Sequence, residues 1–165
     1  MRTDINNPAD VEFRLWEDIE SHHTGMLMPL GEPQMHAQPM IAFPERPTRQ
    51  LWFFTHKDID LARRVSGGVH AMFTVQHRDL HACIAGDLRV DHDDARVERY
   101  WNAVVAAWYP QGRNDPMLTM LRFDCHDAQV WISETGPVKI AWEIAKANAT
   151  HQAPVLGGRA HLTFH

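Results

Sequence analysis

The chain has 165 residues, of which 44% are hydrophobic and 22% are charged, and this length suits one globular domain over residues 1–165. Its 16 lysines and arginines against 21 aspartates and glutamates give a formal net charge of -5, which argues against nucleic acid as a partner. No apolar run approaches the roughly 18 residues that cross a bilayer, and residues 1–4 lack the apolar stretch of a signal peptide. We therefore expect a cytoplasmic protein with no membrane partner. Cys83 and Cys125 have no CxxC spacing and are expected to be buried thiols.

The first part of the chain predicts one helix and then extended segments. Asn7 as a cap and Pro8 at the first helical position precede apolar residues at four-residue spacing, which predicts a helix from residue 8 to about 22. Residues 25–30 and 35–43 are interpreted as a hairpin that turns at 31–34, residues 44–50 as a polar loop, and residues 51–55 as a strand buried on both faces. Asp58 is expected to cap a short helix through residue 64.

The second part of the chain continues this pattern. Residues 69–76 and 80–90 predict paired strands with a turn at 77–79, and residues 93–108 predict one helix. Further strands are expected at 117–124 and 129–133, a helix at 138–149 and an edge strand at 159–164. About six strands that follow one another in sequence favour a mainly β domain. We expect an antiparallel sheet curled into a small barrel, with an N-terminal helix, a C-terminal helix and other helices at the periphery.

Twelve histidines raise the question of a metal site. His77 and His81 are four residues apart, but a predicted turn separates them, and His22 and His23 are adjacent; no HExxH motif is present. We therefore interpret the histidines as scattered over the surface and predict no metal site, while an axial histidine to haem stays open. No GxSxG, P-loop or GxGxxG motif supports a hydrolase, an NTPase or a Rossmann domain.

Several short motifs occur together in one order along the chain. They are GMLM at 25–28, HAQPM at 36–40, LWFFT at 51–55, Gly86, WYPQG at 108–112 and DP at 115–116. This order resembles the general stress protein 26 group of the pyridoxamine phosphate oxidase-like, flavin-binding family. The resemblance extends from about residue 25 to residue 131.

The resemblance implies a split β-barrel that forms a homodimer and holds flavin mononucleotide (FMN) in a cleft at the subunit interface. It assigns no catalytic residue in this chain. The implied cofactor contacts lie on two strands, on the segment after the second strand and at the end of a helix. They are Gln38, Pro39, Met40, Phe53, Phe54, Thr55, Lys57 and Trp108.

The chain departs from the family's pattern where the cofactor phosphate is held. Relatives usually have Arg at the position of Gln38, and Ser and Lys at the positions of Ile59 and Leu61. Hydrogen bonds that involve an ionised group are about twice as strong as neutral ones. We therefore expect weaker phosphate binding unless another cation substitutes, and Lys57 is a better candidate than Arg63 or Arg64.

Two functions remain open at this point. The first is an FMN-binding oxidoreductase or general stress flavoprotein. The second is a non-catalytic dimer that binds a small molecule and has lost the anchors for the flavin phosphate.

Overall fold

The computed structural model describes residues 3–133 and 136–165, and these residues form eight strands and five α-helices. The strands are β1 (Thr24–Pro29), β2 (Gln38–Ile41), β3 (Phe43–Glu45), β4 (Gln50–His56), β5 (Val69–His77), β6 (Leu80–Val90), β7 (Leu118–Ile132) and β8 (Gly158–Thr163). The helices are α1 (Pro8–His22), α2 (Asp60–Val65), α3 (Asp94–Tyr100), α4 (Ala103–Trp108) and α5 (Pro137–Thr150).

All eight strands belong to one antiparallel sheet in the order β2-β1-β5-β6-β7-β4-β3, with β8 also paired to β7. The sheet curls into a half-barrel, and this confirms the expected mainly β, split-barrel architecture. The register of β6 and β7 shifts at Gly86. A Cβ atom at Gly86 would lie 2.2 Å from the backbone oxygen of Asp124, so only glycine fits there.

Apolar side chains pack on both faces of the sheet. The larger cluster joins α1 and α2 to one face and includes Trp16, Phe53 and Leu61. The smaller cluster joins α3 and α4 to the other face and includes Trp52 and Val105. Because neighbouring residues of a strand point to opposite faces, β4 contributes to both clusters, which confirms the expectation that this strand is buried on both sides.

The helix predicted over residues 93–108 is two helices. Trp101 has an extended backbone (φ -62°, ψ 127°), and the side chain of Asn102 accepts a hydrogen bond from the backbone N–H of Val105. Asn102 therefore begins a new helix by capping it. Apolar spacing continues across the break, which is why the sequence pattern did not reveal it.

Other element boundaries also differ from the sequence expectations. The strands expected at 117–124 and 129–133 are one strand, β7, and part of the loop expected at 44–50 belongs to β3. Residues 35–37 lie outside any strand, and α2 begins after Ile59, so Asp58 is not its cap. Helix α1 is as expected, because Asn7 accepts a hydrogen bond from the backbone N–H of Ala9.

The remaining sequence expectations concern membranes and thiols. In residues 3–133 and 136–165, no helix combines the length and the apolar character that crossing a membrane requires. Cys125 is buried as expected, whereas Cys83 is only partly buried.

Candidate functional site

A cleft of about 540 Å³ opens between β2, β4 and α4. This volume is within the roughly 300–1,000 Å³ typical of small-molecule sites. Most of its lining is apolar or aromatic. The lining residues are Thr24, Pro39, Met40, Ile41, Phe43, Phe54, Thr55, His56, Ile59, Val105, Trp108 and Tyr109.

Aromatic contacts build one wall of the cleft. The ring of Phe54 meets that of Phe43 edge-on at 5.6 Å between centroids, and His56 stacks on Tyr109 at 4.7 Å with an interplanar angle of 18°. Burial, with a smaller effect of Asp115, raises the pKa of Tyr109 to about 12. The Tyr109 hydroxyl is therefore neutral at physiological pH and can act as a hydrogen-bond donor.

Trp108 forms the rim of the cleft. It is the last residue of α4, and it is 71% exposed. Its backbone oxygen lies 3.4 Å from Nε2 of His56, at the end of β4. The cleft is therefore a slot. Its aromatic wall is buried, and the apolar rim at Trp108 is open to solvent.

An ionic network fixes α3, and with it the segment that leads into α4, against β3. Arg96 donates from Nε and Nη2 to the two carboxylate oxygens of Glu45 at 2.9 and 3.0 Å, and Tyr100 donates to Oε1 at 2.7 Å. The Arg96 guanidinium also lies 4.0 Å from the centroid of the Trp52 ring. Burial raises the pKa of Glu45, but the hydrogen bonds from Arg96 and Tyr100 outweigh it, so the pKa lies below its ordinary value.

Five of the predicted cofactor-binding residues meet at this cleft. They are Pro39, Met40, Phe54, Thr55 and Trp108. Gln38 is also in β2, opposite Leu27 of β1, but it is outside the cleft lining. Their role as cofactor ligands stays a prediction.

Two other predicted residues lie elsewhere. Phe53 is fully buried and packs against Phe73 at 5.4 Å between centroids, because it points to the opposite face of β4 from Phe54. Lys57 borders a separate hollow with Arg63. Neither residue is among the described residues that line the cleft, and their role as cofactor ligands also stays a prediction.

The structure also places the residues at the phosphate-binding positions of the family pattern. Ile59 lines the cleft, whereas Leu61 is 1% exposed and packs in the larger cluster. Arg63 pairs with Asp60 at 2.7 Å, and Arg64 donates to the backbone oxygen of Leu30 at 3.0 Å.

Among the described residues, the cleft lining contains no lysine or arginine. The apolar wall therefore fits the ring system of a flavin, but the residues of this chain that line the cleft do not supply a cation for its phosphate.

Sequence reasoning assigned no site role to six lining residues: Thr24, Ile41, Phe43, His56, Val105 and Tyr109. His56 had a usable signal, because it follows Phe54 by two residues on one strand and so shares its face. Tyr109 belongs to the WYPQG motif and directly follows Trp108, whereas Val105 had no such signal. Their position depends on the break before α4, which brings that helix over the end of β4.

The interpretation of the histidines as scattered surface residues is wrong for His77. Its side chain is 13% exposed and contacts Asp18 of α1, and its ring stacks on that of His22 at 4.2 Å between centroids. His81, on β6, is exposed as expected. The packing of β5 against α1 brings together residues that sequence spacing could not relate.

Comparison with known proteins agrees with this fold. A model of the family described as pyridoxamine 5'-phosphate oxidase like matches residues 10–155. The structure of a proposed general stress protein 26 from Jannaschia sp. CCS1 is 31% identical and has a TM-score of 0.78, and the match covers 94% of this chain and 99% of that chain. The general stress FMN/FAD binding protein from Xanthomonas citri is 38% identical with a TM-score of 0.72, over 78% of this chain and 92% of that chain. No curated protein matches the sequence. The chain therefore belongs to the pyridoxamine 5'-phosphate oxidase-like family.

Proposed function

We propose that the protein binds a flavin in the cleft between β2, β4 and α4, and that FMN is that flavin. The observation that carries this proposal is the slot of about 540 Å³ with an aromatic and apolar wall, in a chain of this family. The Xanthomonas citri relative, at 38% identity, is an FMN/FAD binding protein. An oxidoreductase function is proposed with it, because bound flavin supplies redox chemistry while the protein positions the ring.

Particular side chains support binding of the ring. Met40 and Phe54 provide apolar surface on neighbouring parts of the wall, and Trp108 at the rim offers an exposed indole. Tyr109, with its neutral hydroxyl, and His56 bring polar groups to the same cleft. A few polar groups on an apolar wall are typical of sites that fix the orientation of a planar ligand.

We also propose that the protein works as a homodimer. Trp108, at the rim of the cleft, is 71% exposed, and Val104 on the same helix α4 is 58% exposed. Large apolar side chains of this kind are concentrated at interfaces between chains. A second copy that covers this face of α4 would bury them and would bring residues of the partner to the open side of the cleft. Light scattering of the purified protein measures the oligomeric state, and a monomer at micromolar concentration would contradict this part of the proposal.

Titration with FMN, followed by quenching of flavin fluorescence, tests flavin binding. We expect saturable quenching by the wild-type protein and about two- to tenfold weaker binding by Phe54→Ala, because a stacked aromatic contact contributes roughly 0.5–1.5 kcal/mol. The matched control is Phe13→Ala, since Phe13 is 48% exposed on α1 and outside the cleft. Circular dichroism verifies that both variants are folded. Colourless protein with neither quenching nor a thermal shift on addition of flavin would refute the proposal.

A second candidate function is a non-catalytic protein that binds a small aromatic molecule without a phosphate. It is favoured by the lack of lysine and arginine among the described lining residues and by the burial of Leu61 in the core. Comparing FMN with riboflavin separates the two candidates. Equal affinities would support this second function, whereas FMN that binds at least about tenfold more tightly would require a phosphate anchor.

Two variants locate such an anchor. Lys57→Ala removes the cation that the family resemblance favours as the phosphate anchor, and a loss of FMN affinity without a loss of riboflavin affinity would identify Lys57 as the anchor. Ile59→Lys introduces a cation at the cleft lining. We expect it to increase the affinity for FMN and to leave that for riboflavin unchanged.

A further inference from the structure

A second cluster of chemically active side chains lies where the end of α1 meets the end of β5. Asp18 and His22 are four residues apart on α1 and so share one face of the helix, and His77 is the last residue of β5. One nitrogen or oxygen atom from each of these three residues lies within 4.8 Å of the others. We propose that Asp18, His22 and His77 bind a divalent transition metal ion, with zinc as the first candidate.

The charge of Asp18 supports this proposal. Its side chain is 2% exposed, and a buried carboxylate needs either a paired cation or a metal. In residues 3–133 and 136–165, its ion-pair partners are the imidazoles of His22 and His77, with no lysine or arginine among them. A divalent ion bound by all three groups balances the charge of this carboxylate.

The spacing of the ligand atoms is close to that of a metal site. Zinc–nitrogen and zinc–oxygen bonds of about 2.0–2.2 Å place neighbouring ligands of a tetrahedral site roughly 3.3–3.5 Å apart. Nδ1 of His22 lies 3.5 Å from Oδ1 of Asp18. Nδ1 of His77 lies 2.5 Å from Oδ2 of Asp18, so this pair would have to separate by about 1 Å to admit the ion.

The imidazole rings would also have to reorient. They now stack with an interplanar angle of 24°, and a bound ion lies in the plane of each ring, so the rings must tilt toward a common point. Nδ1 of His22 would also exchange its contact with the backbone oxygen of Asp18, at 3.0 Å, for the metal. The His22 side chain is 46% exposed and can make this movement. Its exposure also gives the ion a path from solvent and leaves a fourth position for water.

Two imidazoles and one carboxylate define the class of metal. Imidazole suits zinc, copper, iron and nickel, while sites of carboxylate and carbonyl oxygen suit magnesium and calcium. Three protein ligands with one open position are typical of zinc sites that bind water or a substrate. This site is independent of the proposed flavin function, so it can be present whether or not the cleft binds a flavin.

Calorimetric titration of the chelator-treated full-length protein with zinc chloride tests the site. We expect one tight equivalent for the wild-type protein, at least about tenfold weaker binding for His22→Ala, and no change for His81→Ala. His81 is the matched control, because it is an exposed histidine on the neighbouring strand β6. Equal zinc affinity of the wild-type protein and His22→Ala would overturn the proposal, and so would an equal loss in His81→Ala.

A measurement on the wild-type protein does not depend on the folding of a variant. Zinc added at one equivalent should shift the imidazole nitrogen resonances of His22 and His77 and leave those of the other ten histidines in place. Cobalt(II) in place of zinc should give the intense visible absorption of a four- or five-coordinate site. Shifts spread over other histidines, or a weak six-coordinate cobalt spectrum, would refute the site and leave a hydrogen-bonded Asp18–His77 pair.

Discussion

The interaction between Glu45 and Arg96 provides a stringent test of how the wall of the cleft is held in place. The Glu45 side chain is 11% exposed and accepts two hydrogen bonds from Arg96 and one from Tyr100. Hydrogen bonds to charged groups contribute about 1.5–3 kcal/mol each, but the Arg96 side chain is 23% exposed and regains some water when its partner is lost. The contact with Arg99, which is 59% exposed, adds little. We therefore expect Glu45→Ala to lower the free energy of unfolding by about 3 kcal/mol.

Urea denaturation, monitored by circular dichroism, measures this loss. The control is Glu98→Ala, because Glu98 pairs with Arg113 and both side chains are about half exposed (60% and 48%). We expect that variant to lose about 0–1 kcal/mol. A double-mutant cycle of Glu45→Ala with Arg96→Ala should give a coupling of about 1 kcal/mol or more. A loss of stability in Glu45→Ala no larger than that in Glu98→Ala would refute this role of Glu45.

The same residue gives a pH dependence with a defined sign. The pKa of Glu45 is lower in the folded protein than the value of about 4.3 in an unfolded chain. Its contribution to stability is therefore fully present above about pH 4.3 and is lost as the pH falls through the lower pKa of the folded state. Glu45→Gln should make the unfolding free energy less dependent on pH below about pH 4.3. An unchanged slope in that range would show that another carboxylate dominates.

Three further predictions concern other parts of the fold. Gly86→Ala should prevent folding or greatly lower the melting temperature, because its Cβ would lie 2.2 Å from a backbone oxygen. Gly67→Ala should leave the melting temperature unchanged, because no atom lies within 4 Å of the added Cβ. Burial raises the pKa of the Cys125 thiol, so a disulfide reagent followed by mass spectrometry should modify Cys125 only after unfolding; rapid modification of the native protein would contradict this. Leu61→Lys should destabilise the protein by about 3 kcal/mol or more, since Leu61 is 1% exposed in the core. It should not strengthen FMN binding, and a gain in FMN affinity would refute the assignment of Leu61 to the core.

The sequence predicted the parts of the fold that depend on neighbouring residues. The cap at Asn7 and the four-residue spacing after it identify α1, and the alternation around residues 77–79 identifies the hairpin of β5 and β6. Each of these signals acts within one element or one turn. Their boundaries therefore agree with the structure to within a residue or two.

Features that depend on distant contacts could not be predicted in the same way. The sequence expectation left a gap at residues 125–128 between two strands, but β7 continues through it because it exchanges partners along its length. Its first half pairs with β4 and its second half with β8, while β6 pairs along the other edge. The continuous strand is stabilised by segments that lie far from it in the sequence.

In the candidate site, too, the sequence predicted the local elements but not which side chains reach the cleft. The LWFFT motif located the strand but not the face on which each side chain lies, and Phe54 reaches the cleft while Phe53 does not. The two phosphate-binding positions of the family pattern also lie in different places. Ile59 precedes α2 and lines the cleft, whereas Leu61 lies on the buried face of α2. Position 61 therefore belongs to the core of this protein. Ile59 is only partly buried, although it also packs against this core, so we expect Ile59→Lys to destabilise the protein less than Leu61→Lys does. If the missing charge at the cleft alone limits phosphate binding, Ile59→Lys strengthens FMN binding and Leu61→Lys does not.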